Sequence, residues 1–529
     1  MNILAIYAIA AGGLFAGLFL TRIVSILANW TNLFSDLVSR HLTIPYIVHR
    51  HRLWGPWSRA SVLLHVIYAA INIFFILFRI TSLTGAGRRA GELALINLII
   101  PLSATHLSFL ADLLGIKWHT CCGIHRATGW MTIVLLSIHI IAMVQDQQFS
   151  FPLDESRNMF TLIGAASLGI LALCTNACLR RWSFEVFLRG HQILTATFVY
   201  GTLRHLSNEN ASSKLYLWVA LGILGLTTCL QLVILLYRNG LFAGRGAPRA
   251  LVSFTFKKTK EDKLVVTASQ VRVLLPRPVQ VEAGQYINLW IPSVGLWAWT
   301  QTHPFTVTSW SRHRQDAMEL LVQPRRGLSA DLTRHASAAT ETSVSYMALF
   351  TGPHGTTEDV SRYENALLIA SGFGIAAVIP YLKKMIYGYN TCTSQIRRLH
   401  LVWQVESIDM TNAAQGLLND LLDDDIIDDG YILNVSIYVR NGLAHNKVPF
   451  GEHERFCLYQ GTPNYESIVS LEASGDQIER LPNIREERGR TLVVVSAGDD
   501  IRDQIREIIR EDYHQGVHLS ELEYQPNDG

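Results

Sequence analysis

The chain has no Cys-x-x-Cys pair, and its seven cysteines (Cys121, Cys122, Cys174, Cys178, Cys229, Cys392 and Cys457) make no even framework. That argues against zinc, iron–sulfur and disulfide-stapled classes and leaves the thiols reduced. An excess of one charge is also missing, since 45 lysines and arginines face 43 acidic residues for a net of +2. No basic cluster is present to follow a phosphate backbone, so nucleic acid is excluded as a partner. What the chain has is length, 529 residues, enough for two or three domains. Its halves differ in kind. From Met1 to about Tyr237 it is a series of apolar runs of about twenty residues each, the length that crosses a roughly 30 Å hydrocarbon core. From about Arg238 onward, short apolar strands, Gly-rich turns and charged helices read as a soluble α/β protein.

Seven spans are expected, roughly 3–24, 60–80, 92–113, 125–146, 158–179, 187–206 and 214–237. The first is long for a secretory signal core and reads as an uncleaved anchor. Lysine and arginine in alternate loops set the orientation. Arg40, Arg50, Arg52 and Arg59, then Lys117, then Arg180, Arg181 and Arg189, then Arg238, Arg245 and Arg249 mark one side. The loops "QDQQFSFPLDESRN" and "LSNENASSK" mark the other, and a loop with Arg88 and Arg89 runs against the pattern. The N-terminus is thus expected outside and the large C-terminal region in the cytosol. The sequon at Asn210 then faces outward, open to glycosylation, while those at Asn29 and Asn434 stay on the cytosolic side.

Two of these spans carry paired histidines. His125 and His139 are 14 residues apart, as are His191 and His205. On a helix, 14 residues turn about 1,400°, roughly 40° short of four turns, and rise about 21 Å. Each helix therefore shows both imidazoles on nearly one face, one near each membrane surface. The fourth and sixth spans run parallel, so His125 lies level with His191 and His139 with His205. Two stacked bis-imidazole sites result. That arrangement holds a flat haem b from both sides with no open axial position, which suits electron transfer. Arg126 and Arg189, beside the inner ligands, either pair with haem propionates or serve as interfacial positive charges. No closed set of carboxylates or histidines in the outer loops would hold a free metal ion.

Residues 250–350 read as short strands of a small antiparallel barrel: "LVSFTFKKT", "KLVVTASQVRVLL", "QYINLWIP" and "AMELLVQ". Within them, "QTHPFTVTS" (301–309) offers His, Thr and Ser beside an aromatic to a flavin edge and ribityl chain. "RRGLSADL" (325–332) sets Gly327 and Ser329 before a helix start, where backbone N–H groups can hold a pyrophosphate. Either stretch is equally an ordinary strand or cap when taken alone. "NALLIASGFGIAAVIPYL" (365–382) runs a continuous apolar strand into Gly372-Phe-Gly374 and a helix. This is a dinucleotide turn without its third glycine. "HLVWQVE" and "TLVVVSAGDD", each followed by helical pattern, complete a doubly wound sheet. The acidic run "NDLLDDDIIDDG" and residues 441–490 read as surface loops.

In this order the pieces resemble a fungal-type ferric/cupric reductase of the ferric reductase and NADPH oxidase superfamily. The resemblance covers about residues 60–525. It rests on "HRATGW", the two 14-residue histidine spacings, "QTHPFT" and "SGFGIAAVIPYL". It implies a multi-pass α-helical membrane domain of about seven spans with a di-haem core. A cytosolic ferredoxin-reductase-like module follows, with an antiparallel β-barrel FAD domain and a doubly wound α/β nucleotide domain. The expected divisions are 1–58 (anchor span and cytosolic loop), 59–240 (six-helix haem domain), 248–355 (FAD barrel) and 362–529 (NAD(P) domain).

The implied cofactors are two haem b, FAD and NADPH, with NADH the other candidate. By motif, His125, His139, His191 and His205 correspond to axial ligands. His303, Pro304, Phe305, Thr306 and Ser309 correspond to the FAD motif, with Gly327 and Ser329 beside it. Gly352, Pro353, His354 and Gly355, together with Ser371, Gly372, Gly374 and Ile375, correspond to nucleotide-binding turns, and Gly498 to the turn near the nicotinamide. The resemblance implies reduction of extracellular Fe(III) or Cu(II) chelates or siderophores for uptake. The expected location is the plasma membrane, with the vacuolar membrane as second choice and an iron-uptake transporter as a candidate partner. A superoxide-producing NADPH oxidase is the nearest alternative, and a non-enzymatic scaffold the more distant one. Four positions depart from the family. Ala497 stands where the family has cysteine, Glu406 and Thr462 stand where it has arginine, and the chain runs on to "EYQPNDG" instead of ending in an aromatic. A carboxylate at Glu406 suits a ribose 2′-OH better than a 2′-phosphate, and Tyr524 is the candidate flavin cover.

Overall fold

The structure, a computed structural model, describes residues 4–13, 37–51, 55–146, 150–175, 184–206, 211–241, 244, 246–258, 264–295, 298, 301–325, 327–338, 343–425, 431–441, 447–449, 455–478, 489–512 and 516–526. Cys178, the sequon at Asn210 and most of the expected first span lie outside these residues. The chain divides into two compact units, Met1–Gln231 and Leu232–Gly529.

The first unit is helical: α1 (Leu4–Gly13), α2 (Arg59–Leu77), α3 (Leu83–Leu98), α4 (Leu107–Leu114), α5 (Trp118–Val144), α6 (Ser156–Cys174), α7 (Phe184–His205) and α8 (Ala211–Arg238). Among the described residues, four helices are long and apolar enough to cross a membrane: α2, α5, α6 and Ser212–Arg238 of α8. Local signals fix the ends. The Ser58 hydroxyl accepts from Ser61 N at 3.2 Å to start α2, and the Ser82 hydroxyl accepts from Gly85 N at 3.1 Å to start α3. The expected span 92–113 is not one helix. It breaks between Leu98 and Leu107, where Pro101 has no N–H to give to a helix ladder. Arg88 and Arg89 are not in a loop either, because α3 begins at Leu83 and takes them into its second turn.

The second unit begins with two antiparallel sheets around one apolar core of Val252, Val271, Ile287, Leu289, Met318 and Phe350. Their strands are β1 (Arg249–Lys258), β2 (Leu264–Val279), β3 (Tyr286–Trp290), β4 (His303–Thr306), β5 (Gln315–Val322), β6 (Ser343–Met347) and β7 (Leu349–His354), with α9 (Leu328–Ala338) between β5 and β6. One sheet has the order β5-β2-β1-β6 and the other β4-β3-β7.

Next comes a seven-stranded sheet of order β11-β12-β10-β9-β8-β13-β14. It comprises β8 (Asn365–Ser371), β9 (Arg398–Ser407), β10 (Leu433–Asn441), β11 (Lys447–Pro449), β12 (Phe456–Gln460), β13 (Thr491–Ser496) and β14 (Val517–Glu521). Helices α10 (Ile375–Asn390), α11 (Asp409–Asp424), α12 (Tyr465–Ser474) and α13 (Asp499–Asp512) connect the strands. All pairings are parallel except the edge pair β11–β12. Every residue of β8 is buried, as a central strand covered on both faces requires. The acidic run is not a surface loop as far as Asp424, where α11 ends. Asp425 is then buried, receiving Arg455 Nη1 at 2.8 Å and the backbone N–H groups of Ile432 and Leu433. The stretch 441–490 is likewise structured in part, holding β11, β12 and α12.

A buried charge network ties α12 to the sheet edge away from the nucleotide turns. Glu472 is fully buried and receives Arg398 Nε at 2.8 Å, Arg398 Nη2 at 2.9 Å and His400 Nδ1 at 2.8 Å. Burial alone would raise its carboxyl, but the hydrogen bonds from His400 and Arg398 outweigh it and lower the pKa from 4.5 to about 2. Because the folded value lies below the unfolded one, this stabilisation is complete above about pH 4.5 and is lost as pH falls through 2. Glu472→Ala takes the carboxylate away from Arg398 and His400 and should cost about 3 kcal/mol or more at neutral pH. Thermal melts of the variant and parent should converge on acidification. A gap that stays constant from pH 7 to 3 would contradict this account.

Candidate functional site: two histidine pairs and a flavin–nucleotide module

Helices α5 and α7 each carry two histidines without interruption, and the rings meet in pairs. His125 and His191 have ring centroids 6.1 Å apart, and His139 and His205 6.3 Å apart. Pairing in that order requires the two helices to run parallel. A metal held from both sides lies about 2 Å from each nitrogen, and each nitrogen lies roughly 1.1 Å from its ring centre, so opposed rings should be about 6.2 Å apart. Both pairs have that separation. Among the described residues, no group of three or more His, Cys, Asp or Glu could hold a metal ion. Two imidazoles alone therefore fit a metal whose other ligands come from a macrocycle, as in haem.

The surroundings orient the rings. His139 Nδ1 is 2.9 Å from the Gly87 carbonyl, which fixes its proton there and leaves Nε2 for ligation. His205 Nδ1 is 3.0 Å from the Thr161 hydroxyl. Nδ1 of His125 and of His191 are buried with no hydrogen-bond partner. The glycines of α3 make room for the His139/His205 pair. A Cβ at Gly91 would lie 3.0 Å from the His139 ring, and one at Gly87 would lie 2.7 Å from Ala142 Cβ. On the other side, Gly164 of α6 and Gly201 of α7 let those backbones touch, since a Cβ at Gly201 would lie 2.8 Å from Gly164 Cα. Arg126 turns back to the Cys122 carbonyl at 3.3 Å, and Arg189 donates to Gln192 Oε1 at 2.9 Å, both at the exposed surface.

In the second unit the motifs converge on one strand. Tyr286 of β3 is in register with Thr306 of β4 on one side and His354 of β7 on the other. The segments His303–Thr306 and Gly352–Gly355 therefore flank the same strand, so "GPHG" lies beside "HPFT" in the three-stranded antiparallel sheet. His354 is buried against the Thr351 hydroxyl at 3.0 Å, and Gly352 and Gly355 hold φ of 108° and 100°. Ser309 Oγ accepts from Glu319 N at 3.1 Å, which leaves its O–H to donate elsewhere. Gly327, with φ of 71°, turns the chain into α9, and Ser329 Oγ accepts from Arg325 N at 2.9 Å.

At the far end of β8, Gly372–Gly374 form one tight turn before α10. Gly372 takes φ of 49° and its carbonyl accepts from Trp403 Nε1 at 2.8 Å. Ser371 Oγ accepts from Gly498 N at 2.8 Å, which ties the turns after β8 and β13 together. These strands sit where chain order reverses in the sheet, the crevice in which such folds take a dinucleotide. The C-terminal segment crosses the same place. Ser496 Oγ donates to the Tyr524 carbonyl at 2.8 Å, and Ala497 N donates to Gln525 Oε1 at 3.2 Å. Burial raises the Tyr524 phenol against the opposing charge of Arg325, two residues before Gly327.

Residues 90–202 match the family model described as "Ferric reductase like transmembrane component", 254–358 an FAD-binding domain, and 363–445 a "Ferric reductase NAD binding domain". The chain belongs to the ferric reductase family. It is 22% identical to "Ferric reductase transmembrane component 3" of Saccharomyces cerevisiae over 92% of this chain and 71% of that one. It is 23% identical to "Ferric/cupric reductase transmembrane component 2" of the same yeast over 71% and 54%, and 28% identical to "NADPH oxidase 1" of Mus musculus over 30% and 27%. The matches therefore span about half the length of several curated relatives.

This ferric reductase family member is an oxidoreductase with a transmembrane part followed by FAD- and NAD(P)-binding domains. Sequence reasoning missed residues that its His139/His205 pair uses. The "GRRAG" of Gly87 and Gly91 is a small-xxx-small signal that could have found the α3 contact. Thr161 and Arg157 leave no such trace. Arg157 donates Nε at 3.0 Å and Nη2 at 2.7 Å to the His205 carbonyl, at the end of α7.

Proposed function

We propose that this ferric reductase carries electrons from cytosolic NAD(P)H to Fe(III) or Cu(II) chelates outside the plasma membrane, for iron or copper uptake. The observation that carries this reading is the pair of ring separations, 6.1 and 6.3 Å, on two parallel helices. When bound, FAD takes a hydride and releases its electrons singly, and two b-type haems pass them across the bilayer. The chain's own residues do the holding. His125 and His191 would ligate one haem, and His139 and His205 the other, with Gly87 and Thr161 fixing the outer imidazoles. His303–Thr306, Ser309 and the Gly327 turn would position FAD, and the turns at Ser371–Ile375 and Gly498 the nucleotide. Arg126 and Arg189, exposed beside His125 and His191, would pair with haem propionates or serve as interfacial positive charges.

The test is anaerobic. NADH or NADPH is added to the purified protein, haem absorption is followed, and ferric chelate is then injected. Immediate reoxidation supports the metalloreductase. Haems that stay reduced until oxygen enters would instead identify an oxidase, the activity named for the mouse relative.

A further inference from the structure

At the sheet end beyond the Gly372 turn, Glu406 has a partner, Arg440, that the nucleotide reading leaves unused. Glu406 lies near the end of β9, and its Oε1 is 2.8 Å from Arg440 Nη1 on the neighbouring β10. Both side chains are open to solvent, 65% and 51% exposed, so the pair is weak and free to take a new partner. The same corner adds Ser407, whose hydroxyl donates to Asp409 at 3.2 Å, and the Gly461-Thr462 turn, which follows β12 with φ of 101° at Gly461. A dinucleotide on the Gly372 turn extends its adenosine ribose towards the end of the next strand, which is β9 here. At that point a 2′-hydroxyl can donate to a carboxylate, whereas a 2′-phosphate needs a cation free of carboxylates.

Resting on the reading of Ser371–Ile375 as the dinucleotide turn, we propose that Glu406 and Arg440 form a ribose clamp that selects NADH over NADPH. Glu406 accepts from the 2′-hydroxyl. Arg440 orients the carboxylate while its own charge is neutralised. A 2′-phosphate would place its negative charge against Glu406, with Asp409 close behind.

The experiment uses the full chain and two readouts, binding of NAD+ and NADP+ by calorimetry and flavin reduction by NADH and NADPH. The parent is expected to prefer the NAD(H) form about tenfold or more, and E406Q, which releases Arg440, to move that ratio towards NADP(H) by about tenfold or more. R440M should weaken NAD(H) without gaining NADP(H). A parent that prefers NADP(H), or an E406Q ratio equal to the parent's, overturns the inference while leaving the electron relay intact. Selective NAD+ binding without flavin reduction by NADH supports the clamp and overturns the relay. Binding of neither nucleotide overturns both.

Discussion

Alanine at His139 or at His205 should lower reduction of an external ferric chelate by roughly 100-fold or more, while NAD(P)H continues to reduce the flavin. Each substitution removes one of two side chains that face each other 6.3 Å apart, and no third His, Cys, Asp or Glu among the described residues can take over. The outer site loses a ligand and the inner pair keeps both of its own. The reduced-minus-oxidised spectrum should therefore lose about half its haem signal, and the fast phase of haem reduction by NAD(P)H should persist. Thr161→Val is the graded control. It deletes the hydroxyl at His205 Nδ1 but leaves the ligand, so a loss of about tenfold is expected. Full chelate reduction in either alanine variant would sink the scheme.

The histidine pairs were legible because their spacing is a property of one helix at a time. Fourteen residues return to nearly the same face whatever packs around them. Which groups aim which rings was not legible. Gly87 is 52 residues from His139 and Thr161 is 44 from His205, and no local period links them. The broken third span was misread for a related reason. Its apolar run continues past Pro101, so composition alone joins two helices that the backbone separates. In the second unit, continuous apolar strands and glycine turns announced a buried parallel sheet correctly. The division at 355 kept "GPHG" with the FAD domain, but its neighbourhood with "HPFT" was not legible, because only the pairing of β3 with both β4 and β7 sets the two side by side. Arg440 was missed because a charge at a strand end acquires meaning only from the strand next to it.

Gly374→Ala should remove NAD(P)H-dependent reduction without touching the histidine pairs of the first unit. A Cβ at Gly374 would overlap the Ser496 carbonyl oxygen and lie 2.9 Å from its carbon and 3.0 Å from its Oγ. These are atoms of β13, buried and hydrogen-bonded in the sheet, so they cannot yield as a side-chain tip would. The cost is about 3 kcal/mol or more, at the upper end for overpacking. The displacement would fall on the turn that joins Ser371 to Gly498. Dithionite should still reduce the haems fully in this variant, whereas NADH and NADPH should not. Gly372→Ala separates packing from ligand approach. Gly372 has φ of 49° but open space, its nearest neighbour being Met410 Sδ at 4.0 Å, so the strain is only about 1 kcal/mol. A fold intact by melting but a much raised KM for nucleotide at Gly372→Ala would assign that glycine to close passage of a phosphate. Unchanged kinetics would leave Gly374 alone as the indispensable glycine of the turn, and its task would be to seat the turn against β13.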